Sequence, residues 1–127
     1  MPSKHDPADS LADIIDNAER IEHYLAGMDR AAFAANGLVR DAVERCLERA
    51  CEAAHRLGER AADLMPGQPW ADTRGMGNRL RHAYDRISVD VLWNAVRHDL
   101  PGLAEDSRRA LARLQADAQS RPTSGAD

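Results

Sequence analysis

The sequence predicts an all-α fold, an up-and-down bundle of four to five helices. Three observations lead there. Apolar residues recur at spacings of three, four and seven along most of the chain, the period of a helix with one face in a core. No stretch alternates apolar and polar residues as a half-buried strand does. The residues are 43% hydrophobic but only 4% aromatic, with alanine and leucine dominant, which suits close helix packing better than a sheet. At 127 residues the chain is one domain by length, large enough to bury a core without disulfides or metal.

Taken in order, residues 1–7 are expected to be a flexible N-terminus, 8–118 the bundle and 119–127 a disordered tail rich in Pro, Ser and Gly. Asp6-Pro7 offers an N-cap oxygen and a preset φ for a first helix. Its stripe is Leu11, Ile14, Ile15, Ala18, Ile21, Leu25 and Met28. Gly27 lies near its end, and Asp29 can cap a short turn containing Phe33. Asn36 to Met65 is the longest helical pattern, with Gly58 a point where it could bend. Pro66-Gly67-Gln68-Pro69 ends that pattern. Asp72 or Thr73 is expected to cap the next helix, Ser88 a fourth over Val89 to His98, and Asp99-Leu100-Pro101 to start a fifth.

Several function classes drop out. No run of 18 apolar residues exists, so no membrane span is expected. The N-terminus carries no apolar signal core, which predicts a cytoplasmic protein. A net charge of −4 argues against a general nucleic-acid coat protein. Cys46 and Cys51 fall on different faces of one helix and cannot easily pair, which fits a reducing compartment. Cys51 and His55, at i and i+4, could supply two metal ligands, but no second pair with ligand spacing accompanies them. Both thiols are therefore read as core packing, with no metal and no cofactor expected.

The stretch that stands out is Asp72 to Tyr84. On a helical wheel Arg81, Arg74, Asp85, Asn78 and His82 share one stripe about 100° wide, with Met76, Leu80, Ala83 and Ile87 on the far side. From Arg74 to Tyr84 there are three arginines, one histidine and no acid. An imidazole beside guanidinium and amide groups suits a phosphodiester or a nucleotide phosphate. Each residue also has a plainer reading. His82 could be a surface histidine, Asn78 a partner for a neighbouring loop, and Tyr84 ordinary packing with its hydroxyl at the rim. Arg74, Arg79 and Arg81 could be a solvated or ion-paired face, and Arg79 lies off the stripe.

From Gln68 to Ile87 the sequence resembles the HepT-like family of HEPN-domain proteins. The likeness extends upstream to Leu38–Arg45 and Glu52-Ala53-Ala54, and downstream through Val91-Leu92-Trp93, Val96 and Asp99-Leu100-Pro101. The resemblance implies a HEPN-like bundle that dimerises, or assembles further, through its motif helices. It also implies a metal-independent endoribonuclease acting on RNA, as the toxin of a type VII-like toxin–antitoxin pair. The antitoxin would be a nucleotidyltransferase that adenylylates the tyrosine of a His-x-Tyr sequence. Carried over by position, His82 is the catalytic histidine, Asn78 the polar residue of the motif and Tyr84 the modified tyrosine. Arg74 and Arg81 are further expected to join the catalytic group, and Arg79 to contact substrate.

One position departs from the pattern. The family carries an arginine directly before the asparagine, and here that place is Gly77. On the wheel the missing guanidinium lies about 60° from Arg74, so Arg74 and Arg81 are the candidates to reach the same phosphate. Metal-free RNA cleavage uses the 2′-OH as nucleophile and needs a base, an acid and a cation at the phosphate. One chain offers His82 alone in the cluster, and a two-fold dimer would add a second. Three readings follow: a ribonuclease toxin, a nucleotide- or RNA-binding module that has lost turnover with its arginine, and a helical partner that only oligomerises.

Overall fold

The computed structural model describes residues 6–82 and 87–120. Every regular element among them is helical. They run α1 (Pro7–Tyr24), α2 (Arg30–Ala35), α3 (Gly37–Arg56), α4 (Arg60–Leu64), α5 (Trp70–His82) and α6 (Val89–Asn94), then a π-helical turn (Ala95–Asp99) leads into α7 (Leu100–Ser120). Tyr84 and Asp85 lie outside the described residues, as do the expected flexible N-terminal residues 1–5 and tail residues 121–127.

The expected starts of several helices hold at atomic level. Asp6 accepts from the Ala8 N–H at 3.0 Å, with Pro7 in the first turn. Asp29 accepts from Ala32 at 2.8 Å and Ser88 from Val91 at 3.1 Å. Such caps satisfy donors that the first turn leaves without intrahelical partners. Leu11, Ile14, Ile21, Phe33 and Val43 are the bulk of the core, fully enclosed where α1 packs on α3 and α7. Trp93 stacks at a tilt on Phe33 at 5.3 Å between ring centroids. Arg97 covers the Trp93 ring at 4.7 Å and donates to the Met28 carbonyl at 3.1 Å, pinning the α1–α2 turn to the end of the bundle.

Two expectations need correction, and a third holds in a different form. The long pattern from Asn36 to Met65 is two helices, because Gly58 adopts φ +57° and stops α3 where a bend was expected. That left-handed conformation suits glycine and cannot continue an α-helix. The helix carrying the arginines starts at Trp70, ahead of Asp72 and Thr73, so neither caps it. Thr73 instead sends both its N–H (3.0 Å) and its hydroxyl (3.2 Å) back to the Pro69 carbonyl. The helix expected to start at Asp99-Leu100-Pro101 does begin at Leu100, with the π-helical turn leading into it without a break. A proline ring clashes with the carbonyl four residues earlier, which is that of Arg97, and there the chain widens by one residue per turn. The Leu100 N–H closes on the Ala95 carbonyl, and the helix runs on.

The Pro66–Pro69 loop is fastened from both sides. The Trp70 indole donates to the Met65 carbonyl at 3.1 Å, and Gln68 donates to Asp106 on α7 at 2.7 Å. These contacts fix the start of α5, and so the height at which its arginines face α3.

Candidate functional site

Helices α3 and α5 cross with their smallest residues in register. Gly77 is buried against Cys51, and a Cβ built on Gly77 would lie 3.3 Å from the Cys51 Cβ. That is closer than side-chain carbons ordinarily approach, so the glycine is what lets the two backbones meet. Cys51 is sealed beneath the contact, and burial pushes its thiol up to about 11. It is held as a neutral thiol and not as a thiolate nucleophile. Among the described residues no cluster of three or more His, Cys, Asp or Glu side chains could hold a metal ion. The Cys51–His55 spacing thus gains no further ligand.

Over Gly77 lies a guanidinium from one turn later. Arg81 folds back so that Nη1 stands 3.6 Å from where a Gly77 Cβ would be. Its Nη2 donates to Asn78 Oδ1 at 2.6 Å, and Nη1 donates to Glu52 Oε2 on α3 at 3.2 Å. Arg81, Asn78 and Glu52 thus form one hydrogen-bonded row along the α3–α5 seam. The carboxylate and guanidinium are both well solvated, so the pair orients Arg81 more than it stabilises the fold. A guanidinium has five N–H donors in a fixed fork. Two of them are used here, and the others together with the Asn78 amide N–H groups can take the oxygens of a phosphate.

Beside this row is a cavity of about 450 Å³ between α3, α4 and α5. Its floor is made of small residues, Cys51, Ala54, Ala61 and Gly77. Around it stand Trp70, Thr73, Arg74, Asn78 and Arg81 from α5, faced by His55 and Glu59. The arrangement brings Arg74, Asn78 and Arg81 together, as the wheel predicted. His82 lies one turn beyond Asn78, exposed and outside the cavity. Arg79 is separated from the group: it borders a second cavity of about 550 Å³ with His98, Asp99 and Met76. Tyr84 falls outside the described residues.

Three members of this site, His55, Glu52 and Trp70, are not marked as site residues by the sequence pattern. His55 stands out in the sequence only for its spacing from Cys51, yet it lines the same cavity as Arg74. Glu52 reads in the sequence as one of α3's exposed acids, and the packing of α3 on α5 brings it to Arg81. Trp70, directly after the Pro66–Pro69 loop, opens α5 and forms a wall. The available signal lies partly on α5 itself, where Trp70 falls about 40° from Arg74 on the helical wheel.

Comparison with known proteins agrees with these features. A family model described as "Ribonuclease HepT-like" matches residues 14–110. Over 104 residues the chain is 31% identical to "Putative RNase MJ1380" of Methanocaldococcus jannaschii, covering 82% of this chain and 95% of that protein. Over 100 residues it is 33% identical to "Probable ribonuclease HepT" of Thermococcus cleftensis, covering 79% and 91%. No solved structure matches the chain. With the family model spanning most of its helices, the chain belongs to the HepT-like ribonuclease family.

Proposed function

We propose that this protein is a metal-independent endoribonuclease, the toxin of a toxin–antitoxin pair, in which Arg81 takes the place of the arginine that Gly77 lacks. The observation that carries this reading is the guanidinium of Arg81 lying over Gly77 and bonded to Asn78. The charge expected at that point of the motif is present, supplied from one helical turn later. Arg81 and Asn78 would hold the scissile phosphate, with Arg74 alongside. His82 would take the 2′-OH proton or give one to the leaving oxygen, as an imidazole can near neutral pH. Cleavage needs both transfers, so a second copy of the chain supplies the second His82 across a two-fold interface. Arg79, on the other side of α5, would contact the strand away from the cut.

The regulatory half of the proposal rests on the likeness to the family. Tyr84 follows His82 in the His-x-Tyr order, and a nucleotidyltransferase antitoxin would adenylylate it and silence the toxin. Incubating the chain with its partner enzyme and ATP should then add the mass of one adenylyl group, absent in Tyr84→Phe. An unchanged intact mass would remove this part of the proposal.

The test of the chemistry is RNA cleavage by the purified chain in the presence of chelator, beside His82→Ala. The expected result is cleavage by the native chain and a loss of roughly 10²- to 10⁴-fold in the variant. One observation favours a second reading, a binding module without turnover: Arg81 is engaged with both Glu52 and Asn78. Silence from a folded native chain that still binds RNA would select it.

A further inference from the structure

The cavity beside the Arg81–Asn78 row extends well past what a phosphate needs. We propose that it is a base subsite: it takes the nucleobase of a single-stranded RNA residue next to the one cut, with that residue's phosphate on Arg74. The proposal rests on the ribonuclease reading for its orientation. Its volume of about 450 Å³ falls in the range of small-molecule sites, roughly 300–1,000 Å³. The floor is small and apolar and one wall is an indole, the surface on which unstacked bases settle. The indole N–H is already spent on the Met65 carbonyl, so Trp70 is anchored and offers its ring rather than a donor.

The polar groups at the mouth divide the ligand. Arg74 and His55 suit a phosphate or a ribose hydroxyl. Glu59, also at the mouth, repels a phosphate and instead suits an exocyclic amino group on the base. The favoured base therefore carries such a group, as adenine does and uracil does not. Distance along α5 sets the register. At 1.5 Å per residue, Arg74 lies about 12 Å from His82 and Gly77 about 8 Å. A base held there is beside the scissile phosphate, so the subsite would govern which sequence is cut. The pocket also depends on this chain's own departure from its family, because an arginine side chain leaving Gly77 would start in the cavity floor.

The experiment is calorimetric titration with 2′-O-methylated hexamers of adenylate and uridylate, which bind as RNA but cannot be cleaved through the 2′-OH. The native chain is compared with Arg74→Gln, with Ala62→Phe and with Arg109→Gln. Ala62 is an exposed cavity-lining residue on α4, so its phenylalanine fills the pocket without entering the core. Arg109 is an exposed arginine on α7 and controls for lost charge. Oligoadenylate should bind more tightly than oligouridylate, and Arg74→Gln and Ala62→Phe should each weaken it about tenfold or more. Arg109→Gln should change it less than threefold. Competition by 5′-AMP with the same dependence on Arg74 and Ala62 would support the pocket and add the free nucleotide as a ligand. Equal binding of the two hexamers, or native binding by Ala62→Phe with its melting curve intact, would overturn the subsite. If cleavage still disappears in His82→Ala, the ribonuclease reading survives that failure. If the pocket variants weaken binding in a chain that never cuts RNA, the subsite stands and the nuclease falls.

Discussion

The contact between Gly77 and Cys51 makes a prediction that can be worked from geometry. Gly77→Ala adds one methyl on the buried side of α5. In a helix interior alanine is better than glycine by about 1 kcal/mol. Against that gain, the new Cβ meets the Cys51 Cβ at 3.3 Å, and extra carbon in a well-packed site costs about 1–3 kcal/mol. The single variant should be neutral to about 2 kcal/mol less stable. Removing the obstructing carbon reverses the balance. In a Cys51→Gly background, itself destabilised by a lost buried side chain and a helical glycine, Gly77→Ala should gain the full 1 kcal/mol. The coupling energy of the cycle is then about 1–3 kcal/mol. Urea unfolding of the four proteins at pH 7 measures it, and in melting temperature it corresponds to roughly 3–5 °C per kcal/mol for a chain of this size. Additive effects within about 0.3 kcal/mol would show that α3 and α5 do not touch at this point.

Other outcomes follow from the same structure. Cys51 titrates at about 11 when folded against about 8.5 in an unfolded chain. Its folded pKa is raised, so stability is complete below pH 8.5 and falls as the pH rises towards 11. The loss should be about 2–3 kcal/mol, seen as a drop in urea midpoint between pH 8 and pH 10.5 that is smaller in Cys51→Ala. Phe33→Ala removes the fully buried ring beneath Trp93 and should cost about 3–5 kcal/mol by chemical denaturation. Glu52→Gln keeps the shape of the seam but removes the charge that orients Arg81. Cleavage should fall severalfold with the melting temperature nearly unchanged, since the exposed pair contributes only about 0–1 kcal/mol. An equally large loss of stability would make Glu52 structural.

How far the chain could be read in advance depended on which physical signal was local. The starts of α1, α2 and α6 follow from an oxygen-bearing residue just ahead of an apolar period, and Asp6, Asp29 and Ser88 needed nothing more. The grouping of Arg74, Asn78 and Arg81 is likewise fixed by helical geometry. The fate of Gly58 was not local, because its positive φ depends on how α4 returns to the bundle. Nor was the π-helical turn, where the cost of Pro101 is met by widening rather than by ending a helix. The site was half legible for the same reason. A wheel describes one helix, and Glu52 and His55 join the site only through the packing of α3 on α5. That packing in turn depends on two small side chains meeting, Gly77 and Cys51. The position that looked like a defect in the motif is thus also the packing point that sets it.

If the guanidinium over Gly77 does the work of the motif arginine, moving it to position 77 should preserve cleavage. Cleavage of a single-stranded RNA in chelator would be measured for the native chain, for Arg81→Ala, and for Arg81→Ala combined with Gly77→Arg and Cys51→Gly. Arg81→Ala should lose about 10²-fold or more, with substantial recovery in the triple variant, where the arginine returns to position 77 with space beside it. Native rates in a folded Arg81→Ala would show that Arg81 does not do that work.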